Sequence, residues 1–156
     1  MILLIEKKRT WWIVLALYSA VLLYVLYFRS FGATYPYTYV EYLMAMHNII
    51  PFKFIYVFLS TPYISTKIAF RFALNLFGNI ILFIPAGIVL PQLFIKLQKL
   101  SNLLLFIFTA SIIFEACQLL TMLGIFDIDD MILYIFGTII GFSTRNFYMH
   151  RFRKQS

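Results

Sequence analysis

Charge is what this sequence has least of. Asp, Glu, Lys and Arg together make up 12% of its 156 residues, against 63% hydrophobic and 20% aromatic. A soluble domain of this size needs more charge to cover its surface. The composition excludes that class and points to an integral membrane protein. Acids are scarcer still, six against thirteen Lys and Arg. The resulting charge of +7 does not imply a nucleic-acid partner. The basic residues flank apolar runs, where they set membrane orientation. With a single cysteine, Cys117, no internal disulfide can form. A thiol inside an apolar run is not readily ionised, so Cys117 reads as a small apolar filler rather than a nucleophile.

Long apolar runs are abundant. Trp11 to Phe28 is free of charge, follows Glu6, Lys7, Lys8 and Arg9, and ends near Tyr24 and Tyr27. At about 1.5 Å per residue it extends roughly 27 Å, enough to cross the hydrocarbon core. Its aromatic ends match interfacial belts. The basic start resembles a secretory signal, but the run is too long and no clean small-x-small site follows. An uncleaved signal anchor is expected. Residues 30–42, with Gly32 and Pro36, read as a loop. Leu43 to Ile64 is apolar but contains His47, Asn48, Pro51, Lys53 and Pro62. Pro51 would break a helix near its middle, and Lys53 is costly at the bilayer centre. An interfacial or re-entrant segment is expected over 43–64. Further spans are expected at 72–92, with a kink at Pro85, at 100–123, and at 127–144. Arg145, His150, Arg151, Arg153 and Lys154 read as a solvated basic tail. The expected fold class is all-α. It is a polytopic membrane bundle of four transmembrane helices plus the outer segment, in one domain over 1–156.

Orientation follows from the basic residues. Four spans with the N-terminus inside place Lys7, Lys8, Arg9, Lys96, Lys99, Arg145, Arg151, Arg153 and Lys154 in the cytoplasm, nine of thirteen. Only Arg29, Lys53, Lys67 and Arg71 remain outside. A fifth span at 43–64 would reverse everything after it and put seven basic residues outside. The positive-inside rule therefore favours four spans with both termini cytoplasmic.

That topology gathers the polar residues. Four of the six acids lie in Glu115 and Asp127-Ile128-Asp129-Asp130. Counted inward from Phe72, Asn79 lies on the order of 10 Å deep. Counted up from Ser101, Glu115 lies about 9 Å below the outer boundary of a core about 30 Å thick. Asn75 is one turn above Asn79, and Gln118 nearly one turn above Glu115. Asp127 and Asp130 start the last span at the outer rim, and Tyr134 continues their face. Asn75, Asn79, Glu115, Gln118, Asp127 and Asp130 are thus expected to form one ligand-binding site on three helices.

Each residue also has a structural reading. Asp127 can cap the last helix, and Asp129 and Asp130 fall in its first turn, where acids are favoured. Asn75 and Asn79 can join helices by hydrogen bonds. Glu115 resists such a reading, since intramembrane acids usually mark function. Arg71, Lys53 or a bound cation are its candidate partners. Glu115, Asp127 and Asp130 are hard oxygen ligands suited to Mg²⁺ or Ca²⁺. They are also the candidate catalytic groups, with His47 added if the outer segment folds back over the site. Gly137 and Gly141 form a small-xxx-small face that permits close packing, within the bundle or in a homo-oligomer.

Five short motifs in order then resemble the VanZ-like family, small bacterial membrane proteins associated with teicoplanin resistance. They are Asn48-Ile49-Ile50-Pro51-Phe52, Asn75-Leu76-Phe77-Gly78-Asn79 with Phe83-Ile84-Pro85-Ala86-Gly87, Glu115-Ala116-Cys117-Gln118, Asp127-Ile128-Asp129-Asp130, and Gly137 with Gly141. Tyr134 stands where many members carry Asn, and Gly124 where many carry Arg. The resemblance implies a multi-pass protein of the bacterial cell membrane, linked to glycopeptide or lipoglycopeptide resistance. Its implied partners are membrane lipids and a cell-wall precursor or glycopeptide. Two alternatives stand beside it. One is a metal-dependent membrane enzyme acting on a lipid-linked or phosphorylated envelope substrate. The other is a transporter, for which four spans are few and no inverted repeat is visible.

Overall fold

The computed structural model describes the backbone of residues 2–27 and 36–153 and the side chains of 8–27 and 36–151. Arg29, Gly32 of the expected loop and Lys154 of the tail lie outside the described residues, as do the side chains of Glu6, Lys7 and Arg153. The elements run α1 (Ile2–Tyr27), α2 (Tyr39–Ala45), β1 (His47–Asn48), α3 (Lys53–Ser60) and α4 (Thr66–Leu93). A 3₁₀ turn (Ile95–Gln98), α5 (Leu100–Leu120), β2 (Phe126–Asp127) and α6 (Ile128–Arg153) complete the order.

Among the described residues the architecture is all-α apart from the two short strands. Three helices among the described residues are long and apolar enough to cross a membrane: Lys8–Tyr27, Thr66–Leu93 and Leu100–Leu120. The last helix, expected as a fourth span, is not among them. It begins with Asp129 and Asp130 and carries Arg145, His150 and Arg151 near its other end. Two boundaries differ from expectation. Ser65 accepts a hydrogen bond from the Ile68 N–H at 3.3 Å and caps α4, so the helix starts at Thr66 rather than Phe72. It then continues through Pro85 and Pro91 to Leu93. The basic tail, expected as a solvated extension, continues α6 to Arg153.

Helices α4 and α6 meet most closely. A Cβ on Gly137 would lie 2.1 Å from the Ile80 carbonyl oxygen, and one on Gly141 would lie 2.1 Å from that of Ile84. A Cβ on Gly87 would lie 2.2 Å from the Thr138 carbonyl oxygen. Only hydrogen fits at these places, so the small-residue face is used for backbone contact within the chain. Around this seam the core is built from Phe83, Leu90, Leu103, Ile107, Tyr134 and Phe142, closed by Leu22 and Leu26 of α1. Phe83 stacks on Tyr134 with centroids 4.0 Å apart. The hydroxyl of Tyr18 donates to the Leu82 carbonyl at 3.1 Å, and that of Tyr27 donates to the Phe114 carbonyl at 3.2 Å. Both polar tips are thereby satisfied while the rings pack. Large apolar side chains such as Leu17, Phe77 and Leu105 face outward, each more than half exposed. That surface suits hydrocarbon rather than water.

The segment 43–64 resolves into two short helices and a bridge. Thr38 and Glu41 form a capping box at the start of α2. The bonds from the Thr38 N–H and hydroxyl hold the Glu41 carboxyl below its usual range. After α2, His47 pairs with Phe126 and Asn48 with Asp127 in a parallel ladder. Pro51 sits in the turn before α3, and Phe52 takes a left-handed conformation, φ 62°. Phe54 and Phe58 stack on Phe72 of α4, with centroids 4.4 and 3.8 Å apart. The segment is thus laid across the start of α4 and the start of α6.

The glycine seam sets a direct test. Gly137→Ala is expected to destabilise the fold by about 2–3 kcal/mol, because backbone must move to admit the methyl group. Gly78 has nothing within 4 Å of its added Cβ. Gly78→Ala is therefore expected to be neutral or to stabilise by about 0.5–1 kcal/mol. Thermal unfolding in detergent compares the two. Equal effects would contradict the seam.

Candidate functional site

The acids collect where α5 ends and α6 begins. Glu115 is fully buried on the inward face of α5. Its Oε2 accepts the Asp127 N–H at 3.1 Å, and its Oε1 accepts the Tyr134 hydroxyl at 3.1 Å. One carboxylate therefore ties α5 to the end of β2 and the second turn of α6. Asp127 turns its side chain the other way. Its Oδ1 accepts the Asn48 amide at 2.8 Å and the Asp129 N–H at 2.9 Å, which caps the start of α6.

Asp129 lies in the first turn of α6, as read from the sequence, and its side chain also caps a different helix. Its Oδ1 accepts the Phe52 N–H, and its Oδ2 accepts the Phe54 N–H at 3.1 Å and the Asn48 amide at 3.3 Å. The Phe52 and Phe54 donors are backbone groups at the start of α3, where Phe52 offers no capping side chain of its own. Asp130 points toward α4. Its Oδ1 accepts the Asn79 amide at 2.6 Å, and the same amide donates to Asn75 Oδ1 at 3.1 Å. Successive acids of one motif thus serve three different partners.

Beside this network lies a cavity of ≈ 280 Å³. Asn75, Asn79, Gln118, Asp127, Asp130 and Tyr134 supply its polar wall, and Val25, Leu26, Leu123 and Ile125 its apolar edge. Gln118 also donates to the Leu26 carbonyl at 2.8 Å, which fixes the end of α1 against α5. Gly124 borders the cavity, and the Gln118 Oε1 would lie 3.0 Å from a Cβ placed there. The buried Tyr42 donates its hydroxyl to the Gly124 carbonyl and holds that turn to α2.

Five of the six residues singled out as ligand-binding line this cavity: Asn75, Asn79, Gln118, Asp127 and Asp130. Glu115 does not. It sits behind the wall, bonded to Asp127 and Tyr134. Neither Arg71 nor Lys53 is its partner; two neutral donors are. His47 is exposed and does not line the polar cavity; it lies with Asn48 and Lys53 around a shallow depression that adjoins that cavity at Ile125 and Asp127. Glu115, Asp127 and Asp130 do not converge as metal ligands. Among the described residues no group of three His, Cys, Asp or Glu side chains is placed to hold an ion. The reason is directional: Glu115 turns to Tyr134, Asp127 to Asn48, and Asp130 to Asn79.

Sequence reasoning left out two residues that complete the network, Asn48 and Asp129. Asn48 is buried and bridges two acids with one amide. Its position beside Pro51 was visible, but its partner lies 79 residues away. Tyr134, where the resemblance expects Asn, lines the cavity and supplies a hydroxyl to Glu115.

Two substitutions separate the roles. An amide in place of Glu115 can accept only one of its two hydrogen bonds and turns a donor toward the other. Glu115→Gln is therefore expected to cost about 1–3 kcal/mol, read as a lowered unfolding midpoint. Asp129→Asn is expected to loosen α3 by about 1–2 kcal/mol, by loss of a charged cap. Amide exchange would quicken over residues 52–60 and stay unchanged in α4. Uniform protection in the variant would contradict the cap.

Comparison with known proteins agrees with the family resemblance. The profile of the VanZ/LLP1 family matches residues 15–148, from the first apolar helix almost to the end of α6. No curated protein and no solved structure matches the chain. With that match over most of its length, and with helices apolar enough to cross a bilayer, the chain is a membrane protein of the VanZ/LLP1 family.

Proposed function

We propose that the chain is a multi-pass protein of the bacterial cell membrane whose polar cavity binds a donor-rich or ammonium-bearing group from the envelope. That group belongs to a lipid headgroup or a wall precursor, and binding it alters susceptibility to glycopeptides such as teicoplanin. The observation that carries this reading is the character of the cavity wall. Its charged groups are the carboxylates of Asp127 and Asp130, its other polar groups are amides and a phenol, and among the described residues no Lys, Arg or His lines it. A free phosphate would meet like charge there, whereas an ammonium or a set of hydroxyls would meet acceptors.

The topology belongs to the same proposal. Four spans, with α6 as the fourth, leave both termini in the cytoplasm and satisfy the positive-inside rule. The length of α6, 26 residues, supports spanning despite its charged ends. The cavity then opens on the outer side, where envelope precursors and glycopeptides meet the membrane. Family membership supports an envelope role.

Three measurements test it. A strain lacking the gene is expected to become more sensitive to teicoplanin, with resistance restored by the wild-type chain and not by Asp130→Asn. Unchanged sensitivity on deletion would overturn the reading. In purified protein, Asp130→Asn is expected to weaken binding of an ethanolamine-headgroup lipid by about tenfold or more, through loss of a charge-assisted bond. For the topology, Ile125→Cys in a Cys117→Ser background is expected to react with an impermeant thiol reagent on intact cells. Reaction only after the membrane is breached would invert the arrangement.

A further inference from the structure

The opposite end of α6 carries a second cavity of contrary character. Arg145 lies fifteen residues beyond Asp130, roughly 22 Å along the helix. Arg145, Asn146, Met149 and His150 line one side of a cavity of ≈ 400 Å³, and Gln92 and Gln98 line the other. The spacing explains the first group. Arg145 and Met149, and Asn146 and His150, stand four residues apart on adjoining strips of α6. Gln92 comes from the last turn of α4 and Gln98 from the end of the 3₁₀ turn.

The guanidinium is incompletely satisfied. One Nη1 hydrogen bond goes to Asn146 Oδ1 at 3.0 Å, and the buried Nε has no partner among the described residues. A guanidinium has five N–H donors and no acceptor. Leaving such a cationic donor buried without an acceptor is costly. Among the described residues no acid lines the cavity; its other polar side chains are three amides and an imidazole. What the described residues do not supply is an anionic acceptor, and the planar fork of Arg suits the paired oxygens of a phosphate.

We propose that this cavity binds a phosphate group, held by Arg145 with His150, Gln92, Gln98 and Asn146 as further hydrogen-bonding partners. The phosphate belongs either to an anionic lipid headgroup or to a soluble phosphate compound. The site is separate from the acid-lined cavity, and the inference stands whether or not that cavity binds an envelope component.

The test uses the full chain in maltoside micelles, which contain no phosphate. Phosphatidylglycerol is titrated in one arm and inorganic phosphate in the other, against chloride at equal ionic strength. Lipid is expected to raise the unfolding midpoint by on the order of 2–4 °C at saturation, a size typical of a ligand that binds only the folded state. The ³¹P resonance of the added phosphate should broaden in the presence of protein. Both effects are expected to vanish in Arg145→Gln and to survive in part in Arg145→Lys. A response to lipid alone identifies a headgroup site; a response to inorganic phosphate as well identifies a site open to soluble phosphates. If Arg145→Gln does not fold, Gln98→Leu on the exposed opposite wall is expected to weaken the response instead. The proposal is overturned if neither phosphate source acts on the wild type. It is also overturned if the foldable variant responds as fully as the wild type.

Discussion

The hydrogen bonds of one buried carboxylate hold the acidic end of the molecule together. Glu115 receives the N–H of Asp127 and the hydroxyl of Tyr134, so α5 cannot shift along α6 without stranding both donors. In an apolar surrounding an unmet polar group has no water to turn to, and each such loss is expensive. Fixing Asp127 in turn fixes β2 beside β1, and with it the parallel pairing of His47 and Asn48. The outer segment is then gripped a second time by Asp129, which supplies the cap that α3 lacks.

The acids at this end are satisfied by neutral donors: backbone N–H groups, asparagine amides and a phenol. Such donors meet the lone pairs without cancelling the charge, which leaves Asp127 and Asp130 as acceptors facing a cavity. At the other end of α6 the situation is reversed, with a guanidinium short of acceptors. One helix thus presents negative character where it starts and positive character where it ends. Its middle has no charged side chain and presses two glycines onto α4. Those glycines bring α6 close enough for Asp130 to reach Asn79 across the seam.

The helices of this fold were legible because apolar runs of twenty residues have few other solutions in a membrane. Their ends were less so. Ser65 begins α4 by a local side-chain bond, a signal present in the sequence but outweighed by the hydropathy boundary at Phe72. The last helix is the instructive case: its length exceeds the apolar run because α6 continues through the basic residues. Asn75, Asn79, Gln118, Asp127 and Asp130 could be placed on one cavity from rise per residue alone, since helix geometry converts sequence position into depth. Which acid faces which partner could not. Depth says nothing about azimuth, and so Glu115, at the right level, stands behind the wall rather than in it. Asn48, visible within its motif, was not assigned to the site for a different reason. Its role depends on a two-residue bridge between segments far apart in the chain, and no periodicity marks such a contact.

The central claim is that the start of α6 holds the 46–54 segment against the bundle. The most direct measurement is a cross-link across the parallel bridge. In a Cys117→Ser background, His47→Cys and Phe126→Cys would stand at paired positions, at a separation suited to a disulfide. Oxidation of membranes carrying the double variant is expected to yield a single intramolecular product, found as peptides joined through 47 and 126 in the mass spectrum. The contradicting result is no joined peptide, with both thiols still reactive toward a small alkylating agent. It would mean that the segment lies elsewhere and that the acids of α6 have other partners.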